Sequence, residues 1–546
     1  MRSDVIRVYK AVHTWTGLTA GLLLFIAFYA GAITMFKDSI TTWSTPPLAR
    51  MHAVPLAQAD DAIRQVLHDH PAARKQFNLT LQDGDAVLMS WQPSPGTRWT
   101  AGLDAAGKLR AESSHPSDVA RFVNVLHMTA GIPGGYAVGM GTMGVVAVLY
   151  GLALVSGVIV LLPTLVKDLF ALRIGKNLKR MWLDAHNVIG IFSLPFHVVM
   201  ALSVVAFGLG DYLYAVQDKA IYGGTLDAMR RDQNPYFAKA PSPAGVRPSL
   251  APVAQLLADV RERAPHFEPE RISYRGAEQP GGTAFVAGED PRFLARSGGF
   301  ALMDAATGRF LNTEYLPGDD SGSRWSALAS AFYALHFGSY GGTSVRWGYF
   351  ILGLAGAFLF YSGNLLWIES RRKTQRRDNP AVTQRRSAHA MAMLTVGVAL
   401  GSVAAISATI AAAKLLNGVV NDLHAWHIAI YYTVFLASIG WAFLRGAARG
   451  ARDLLGLATL ASAAIPLASL LGGWWPSAGM WGAAGIDTLG VDITAAAGAL
   501  CLAWAWRRTA RRIRSAPVDS VWFDGRRGAA GGDDRPLPEE SAPVPR

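Results

Sequence analysis

The chain has 546 residues, of which 51% are hydrophobic and only 16% charged, with a formal net charge of +12. Soluble domains carry about 25% charged residues, so this composition excludes an ordinary soluble protein, and its apolar content excludes a disordered one. The single cysteine, Cys501, leaves no intramolecular disulfide and no cysteine-built zinc or iron–sulfur centre; the basic excess of such a chain belongs to cytoplasmic loops beside a lipid bilayer, not to nucleic acid.

A helix that crosses a bilayer needs about 20 mostly apolar residues. Eight runs qualify, which predicts an all-α polytopic membrane protein with about eight transmembrane helices. The first, His13–Phe36 within residues 1–36, follows Arg2, Arg7 and Lys10 as a leader would. It is too long for a leader and lacks a small-residue cleavage site, so it reads as a span. A polar segment, residues 37–125, comes next. It holds a helix-like stretch, Leu56–His68, an alternating run, Ala86–Trp91, and a turn-like sequence, Leu103–Leu109.

Residues 126–208 carry a second span, Gly139–Leu162, a basic loop, and a third span, His186–Gly208. A second polar segment, residues 209–330, repeats the order of the first with Leu250–Ala264, Gly299–Met303 and the turn Met303–Phe310. Both segments read as small α+β modules. The fourth span, Arg346–Ile368, falls in residues 331–370, and a basic loop covers 371–387. Residues 388–514 hold Ala388–Ala413, Trp426–Leu444, Leu454–Leu471 and Ile486–Trp506. The tail, 515–546, is rich in Gly, Pro, Asp and Arg and reads as disordered.

Lysine and arginine gather in alternate loops: Lys167 to Arg180, Arg371 to Arg386, Arg445 to Arg452, and Arg507 to Arg514. The positive-inside pattern then puts both termini in the cytoplasm and both polar modules outside.

The first four spans form a repeat. His13-Thr-Trp-Thr-Gly17 opens the first span and His186-Asn-Val-Ile-Gly190 the third. Leu126-His127 with Gly131, Gly134 and Gly135 precedes the second, and Leu335-His336 with Gly338, Gly341 and Gly342 precedes the fourth. Two copies in the same orientation predict a pseudo-two-fold axis along the membrane normal.

These motifs, with Trp367 ahead of Arg371-Arg372-Lys373, resemble those of the PepSY-associated transmembrane family over about residues 1–375. The resemblance implies a bacterial inner-membrane location, PepSY-like external modules and, as in some members, a ferric-siderophore reductase carrying two haems.

Histidines carry the chemistry. His13 and His186 are equivalent at one end of the bundle, His127 and His336 at the other, and the axis would turn each pair into two facing imidazoles. Six-coordinate haem iron takes one axial ligand from each side, so the pairs read as sites for about two haem b groups. No Cys-x-x-Cys-His is present to attach haem covalently. A single histidine at a helix end is ordinarily a cap or an interface anchor; two symmetric pairs favour ligation. His197 follows His186 on the same predicted helix, about 16 Å along and on nearly the same face. Its repeat equivalent is Leu24, so it stands as an alternative ligand or a polar group between haems. His424 and His427 share a helical face at metal-binding spacing, without an identifiable third ligand, and His389 reads as interfacial. The G-x-G-x-x-G sequence at Gly139–Gly144 opens a predicted span rather than following a strand, so it reads as close helix packing.

The expected function is a haem-containing inner-membrane oxidoreductase that moves electrons to a periplasmic acceptor, by resemblance a ferric siderophore in iron uptake. A cytoplasmic protein or the quinone pool would be the donor. The alternatives are a PepSY-type regulatory protein that binds a peptide or protease, and a transporter. Asp492 is the acidic residue of the eighth span that a transport reading would use.

Overall fold

The computed structural model describes residues 3–47, 51–165, 178–226, 228–229, 248–319, 323–371, 385–476, 479–483, 485–516 and 520–523. Among these, seven helices are long and apolar enough to cross a membrane. They are α1 (Ser3–Thr34), α5 (Tyr136–Leu161), α7 (Leu194–Ala220), α10 (Gly342–Ser370), α11 (Arg386–Leu416), α12 (Leu423–Trp474) and α13 (Ile486–Arg512). In hydrocarbon every backbone N–H and C=O must be satisfied within its own helix, which is why these runs fold as they do.

The third predicted span is not one straight helix. It breaks at Ser193 (φ −93°, ψ 5°) into α6 (Leu178–Phe192) and α7. Pro195 causes this, because proline has no N–H to donate and its ring crowds the preceding turn. The sixth and seventh predicted spans share the 52-residue α12, which would rise about 78 Å if straight. It is broken at Gly446 (φ 75°, ψ 161°), a backbone conformation that favours glycine. The chain doubles back there: a Cβ on Gly450 would lie 3.1 Å from Ala442 Cα, and Arg445 Nε reaches Asp453 at 3.3 Å.

The Gly139–Gly144 motif does what its small residues suggest. A Cβ on Gly208 of α7 would stand 2.7 Å from Gly144 Cα, so α5 and α7 touch backbone to backbone.

Each polar segment forms an α+β half, and the two halves join edge to edge in one nine-stranded antiparallel sheet, a union the sequence did not predict. The first segment gives β1 (Val54–Pro55), α3 (Leu56–Asp69), β2 (Gln76–Gln82), β3 (Ala86–Ser94), β4 (Thr97–Leu103) and β5 (Leu109–Ser114). The second gives α8 (Val253–Arg263), β6 (Glu268–Arg275), β7 (Thr283–Glu289), β8 (Gly298–Asp304) and β9 (Phe310–Asn312). The strand order is β5-β4-β3-β2-β6-β7-β8-β9, with β1 on β3. The halves join where β2 meets β6, pairing Phe77 with Tyr274 and Leu79 with Ile272. Each half alone would leave a long unpaired strand edge. Joining covers both edges and buries a stacked Phe77–Tyr274 pair with ring centres 4.6 Å apart. The repeat persists inside the sheet. Asp104 Oδ1 accepts from Ala106 N and Lys108 N, and Asp304 Oδ1 accepts from Ala306 N and Thr307 N, closing equivalent turns.

The sheet hangs from the ends of α1 and α7 and the approaches to α5 and α10. Two short helices complete those approaches: α4 (Val119–Thr129) before α5, and α9 (Arg324–Phe337) before α10. A further helix, α2 (Lys37–Ser44), follows α1. It is clamped to the second half of the bundle. Trp43 Nε1 donates to Asp492 Oδ1 at 2.8 Å, Lys414 Nζ donates to Ser469 Oγ at 2.9 Å, and Lys414 sits 4.4 Å above the Trp43 ring.

The described basic residues Lys179, Arg180, Arg371, Arg385, Arg445 and Arg512 lie at helix ends away from the sheet. Lys167, Arg173, Lys176 and Arg372 to Arg377 lie outside the described residues. In the tail, Val521 is buried and Trp522 Nε1 donates to Glu369 Oε1 at 2.9 Å, so residues 520–523 pack on the bundle. The tail's other residues from 524 onward lie outside the described residues.

Candidate functional site

Both histidine pairs expected from the repeat come together. His13 of α1 and His186 of α6 have ring centres 6.2 Å apart, and His127 of α4 and His336 of α9 have ring centres 6.3 Å apart. Metal–imidazole bonds are about 2.0–2.1 Å, and a ring nitrogen lies roughly 1.2 Å from its ring centre, so two imidazoles across one metal stand about 6.4–6.6 Å apart. Edge-to-face aromatic contacts also fall near this distance, so separation alone does not identify the chemistry. The hydrogen bonds add the orientation of each ring.

Each of the four rings uses Nδ1 toward the protein. His13 Nδ1 lies 2.8 Å from Ala153 O of α5, and His127 Nδ1 lies 2.8 Å from Ala27 O of α1. A carbonyl only accepts, so both rings carry their proton on Nδ1. His186 Nδ1 lies 3.1 Å from Ser362 Oγ, whose own proton goes to Leu359 O. His336 Nδ1 lies 2.6 Å from Ser203 Oγ, whose proton goes to Val199 O. Both hydroxyls are thereby acceptors toward the ring. In all four neutral imidazoles the lone pair therefore sits on Nε2. Metal-ligating histidines characteristically donate their other N–H in this way, which fixes the tautomer and aims the ring.

The donors obey the repeat. His13 bonds to α5 and His186 to α10; His127 bonds to α1 and His336 to α7. Glycines make room for three of the rings. A Cβ on Gly157 would lie 2.9 Å from His13 Cε1, and one on Gly31 would lie 2.7 Å from His127 Nδ1. Gly363 faces His186 at 3.5 Å. The donor set, its spacing and its tautomers fit two bis-histidine haem sites.

His197 lies between the pairs along the chain but not on one helix with His186. The kink at Ser193 divides α6 from α7, yet both rings face one side of α10: a Cβ on Gly363 would lie 3.5 Å from His186 Cε1, and one on Gly356, seven residues earlier, 3.1 Å from His197 Cε1. His197 is wholly buried among the rings of Phe28, Phe196, Tyr150 and Phe360, with centres 5.5, 5.6, 5.9 and 6.3 Å away. Its Nδ1 meets the Tyr150 hydroxyl, and its Nε2 has no partner among the described residues. It is not a fully satisfied core histidine.

The remaining histidines stand apart. His52 joins Leu103 through the backbone, His68 Nδ1 lies 2.8 Å from Asp69, and His70 packs on Trp91 and Trp99. His389 is exposed in the first turn of α11. His424 and His427 sit at the start of α12 against Asp118. Asp492 is committed to Trp43 and Ser469, which makes it a bundle clamp.

Sequence reasoning missed Ser203, Ser362 and Tyr150, because a serine or tyrosine in an apolar run carries no sign of which helix it faces. Gly31 and Gly157 belong to recognisable small-residue runs but not to recognisable ring pockets.

No curated protein matches the chain. The family model described as the PepSY-associated TM region matches residues 11–370, which include most of α1, all four paired histidines and the whole nine-stranded sheet, and the chain belongs to that family.

Proposed function

We propose that the chain is a membrane oxidoreductase that passes electrons from one face of the bilayer to an acceptor on the face bearing the sheet. The observation that carries this is the set of four Nδ1–H donors, each held by an acceptor from another helix, with the four Nε2 lone pairs left for metal. His13 and His186 would hold one haem b, and His127 and His336 a second. Haem bound in this way supplies reversible one-electron chemistry, tuned by its axial ligands, burial and neighbouring hydrogen bonds.

The chain's own residues supply the rest. Ala153, Ala27, Ser362 and Ser203 orient the imidazoles. Phe28, Phe196, Phe360 and Tyr150 pack around His197 and exclude water between the pairs. The basic helix ends away from the sheet support a cytoplasmic placement for the His13–His186 end, in an inner membrane with both termini inside. A cytoplasmic or quinone donor would serve that end, and a ferric siderophore reduced in iron uptake is the acceptor we assign to the sheet side.

The test is a pyridine haemochrome assay on full-length protein produced with ample haem. About two b-type haems per chain, low-spin and reducible, is the expected result. Protein without haem would remove the oxidoreductase reading and leave the peptide-binding regulatory one.

A further inference from the structure

A third histidine site lies away from the two pairs. Asp118 immediately precedes α4, and His424 and His427 occupy the first turns of α12, so residues about 300 positions apart converge on one point. His424 Nδ1 lies 2.5 Å from Asp118 Oδ2, and His427 Nδ1 lies 2.9 Å from Asp118 Oδ1. The donor atoms of all three residues lie within 4.8 Å of one another. We infer that Asp118, His424 and His427 form a binding site for a divalent first-row transition-metal ion.

Here two rings converge on one carboxylate, and the inner ring is not satisfied. His427 is wholly buried, its Nδ1 is aimed at Asp118 without an aligned hydrogen bond, and its Nε2 has no partner among the described residues. Buried polar atoms in native proteins nearly always have a partner. A metal ion accepted by the three side chains would supply one. Ligand bonds of about 2.0–2.2 Å hold donor atoms roughly 3–4 Å apart; here the imidazoles stand 2.5 and 2.9 Å from the carboxylate oxygens, so the side chains would open slightly around an ion.

The surroundings are suited to holding the rings. Phe122 of α4 packs edge-on against His424 with centres 6.5 Å apart and against His427 at 6.3 Å. His424 is half-exposed, which gives an ion a route in. Two imidazoles and one carboxylate leave coordination positions for water or an incoming group. That donor set suits zinc(II) and iron(II) and disfavours calcium and magnesium, which prefer oxygen alone. The site stands on its own geometry and does not rest on the haem reading.

The probe is zinc chloride. Full-length protein in detergent is stripped with chelator, loaded, dialysed and assayed for zinc by mass spectrometry, with haem iron counted separately by pyridine haemochrome. One zinc per chain is expected, retained through dialysis. His424→Ala, at the half-exposed position, and Asp118→Asn, which keeps the shape of the residue preceding α4, should each weaken zinc binding by about tenfold or more. Both should leave the haem content and the gel-filtration profile unchanged. Wild-type protein that loses its zinc on dialysis would overturn the proposal. So would either variant that keeps one zinc at wild-type affinity.

Discussion

Gly31→Ala is the sharpest test of how His127 is held. Alanine is the better helix former by about 0.8–1.0 kcal/mol, so propensity alone predicts a more stable α1. The structure predicts the opposite locally. The new Cβ would lie 2.7 Å from His127 Nδ1 and 2.8 Å from Cε1. Carbon contacts are comfortable from about 3.5 Å, so the ring must retreat by roughly 0.7 Å. The Nδ1–Ala27 O bond, now 2.8 Å, would stretch to the limit of a hydrogen bond. Loss of such an orienting bond costs about 10–100-fold in metal affinity, or about 1.4–2.7 kcal/mol. The assay is haem transfer to apomyoglobin, followed by haem content per chain. One haem should leave faster, and the content should fall toward one per chain, with the His13–His186 site retained. Gly151→Ala is the control, since nothing lies within 4 Å of its Cβ position. A Gly31→Ala protein with two haems at wild-type transfer rates would refute the argument that Nδ1 fixes the ligand. Loss of both haems would refute the independence of the two sites.

The two ends of the bundle should be separable: His186→Ala is expected to remove one haem and leave the spectrum of the other intact, and His336→Ala to do the converse, read by low-temperature absorption. His197→Ala should keep both haems and shift a midpoint potential in redox titration, since the ring is buried between the pairs with one nitrogen unpartnered; loss of a haem would make it an axial ligand. Reporter fusions at Asp184 and Asp319 should score as cytoplasmic and external respectively, and the reverse pattern would invert the direction of electron flow.

How much of this was legible in the sequence varies by element. The long apolar helices, the helices α3 and α8 and the turns at Asp104 and Asp304 were readable because their signals are local: hydrophobic run length and period, and Asp and Gly placed around a tight turn. The histidine pairs were readable because the repeat supplies symmetry, and a pseudo-two-fold axis converts equivalent positions into facing ones. The chemical argument for His13, His127, His186 and His336 was only half visible. Which nitrogen each ring presents depends on Ala153, Ala27, Ser362 and Ser203, and backbone carbonyls of another helix leave no mark in a sequence.

Three features belong to the tertiary structure alone. The two polar segments join into one sheet through β2 and β6, a choice set by edge strands nearly 200 residues apart rather than by either segment's own pattern. Pro195 was visible in its apolar run, but apolar length outweighed it, so the kink at Ser193 appears only once the helices are placed. Asp118 becomes the partner of His424 and His427 only because α4 lies against α12. Hydrophobic period and repeat symmetry act along the chain and so can be read from it; pairing across distant segments is decided by which edges and faces remain to be buried, and that is a property of the assembled fold.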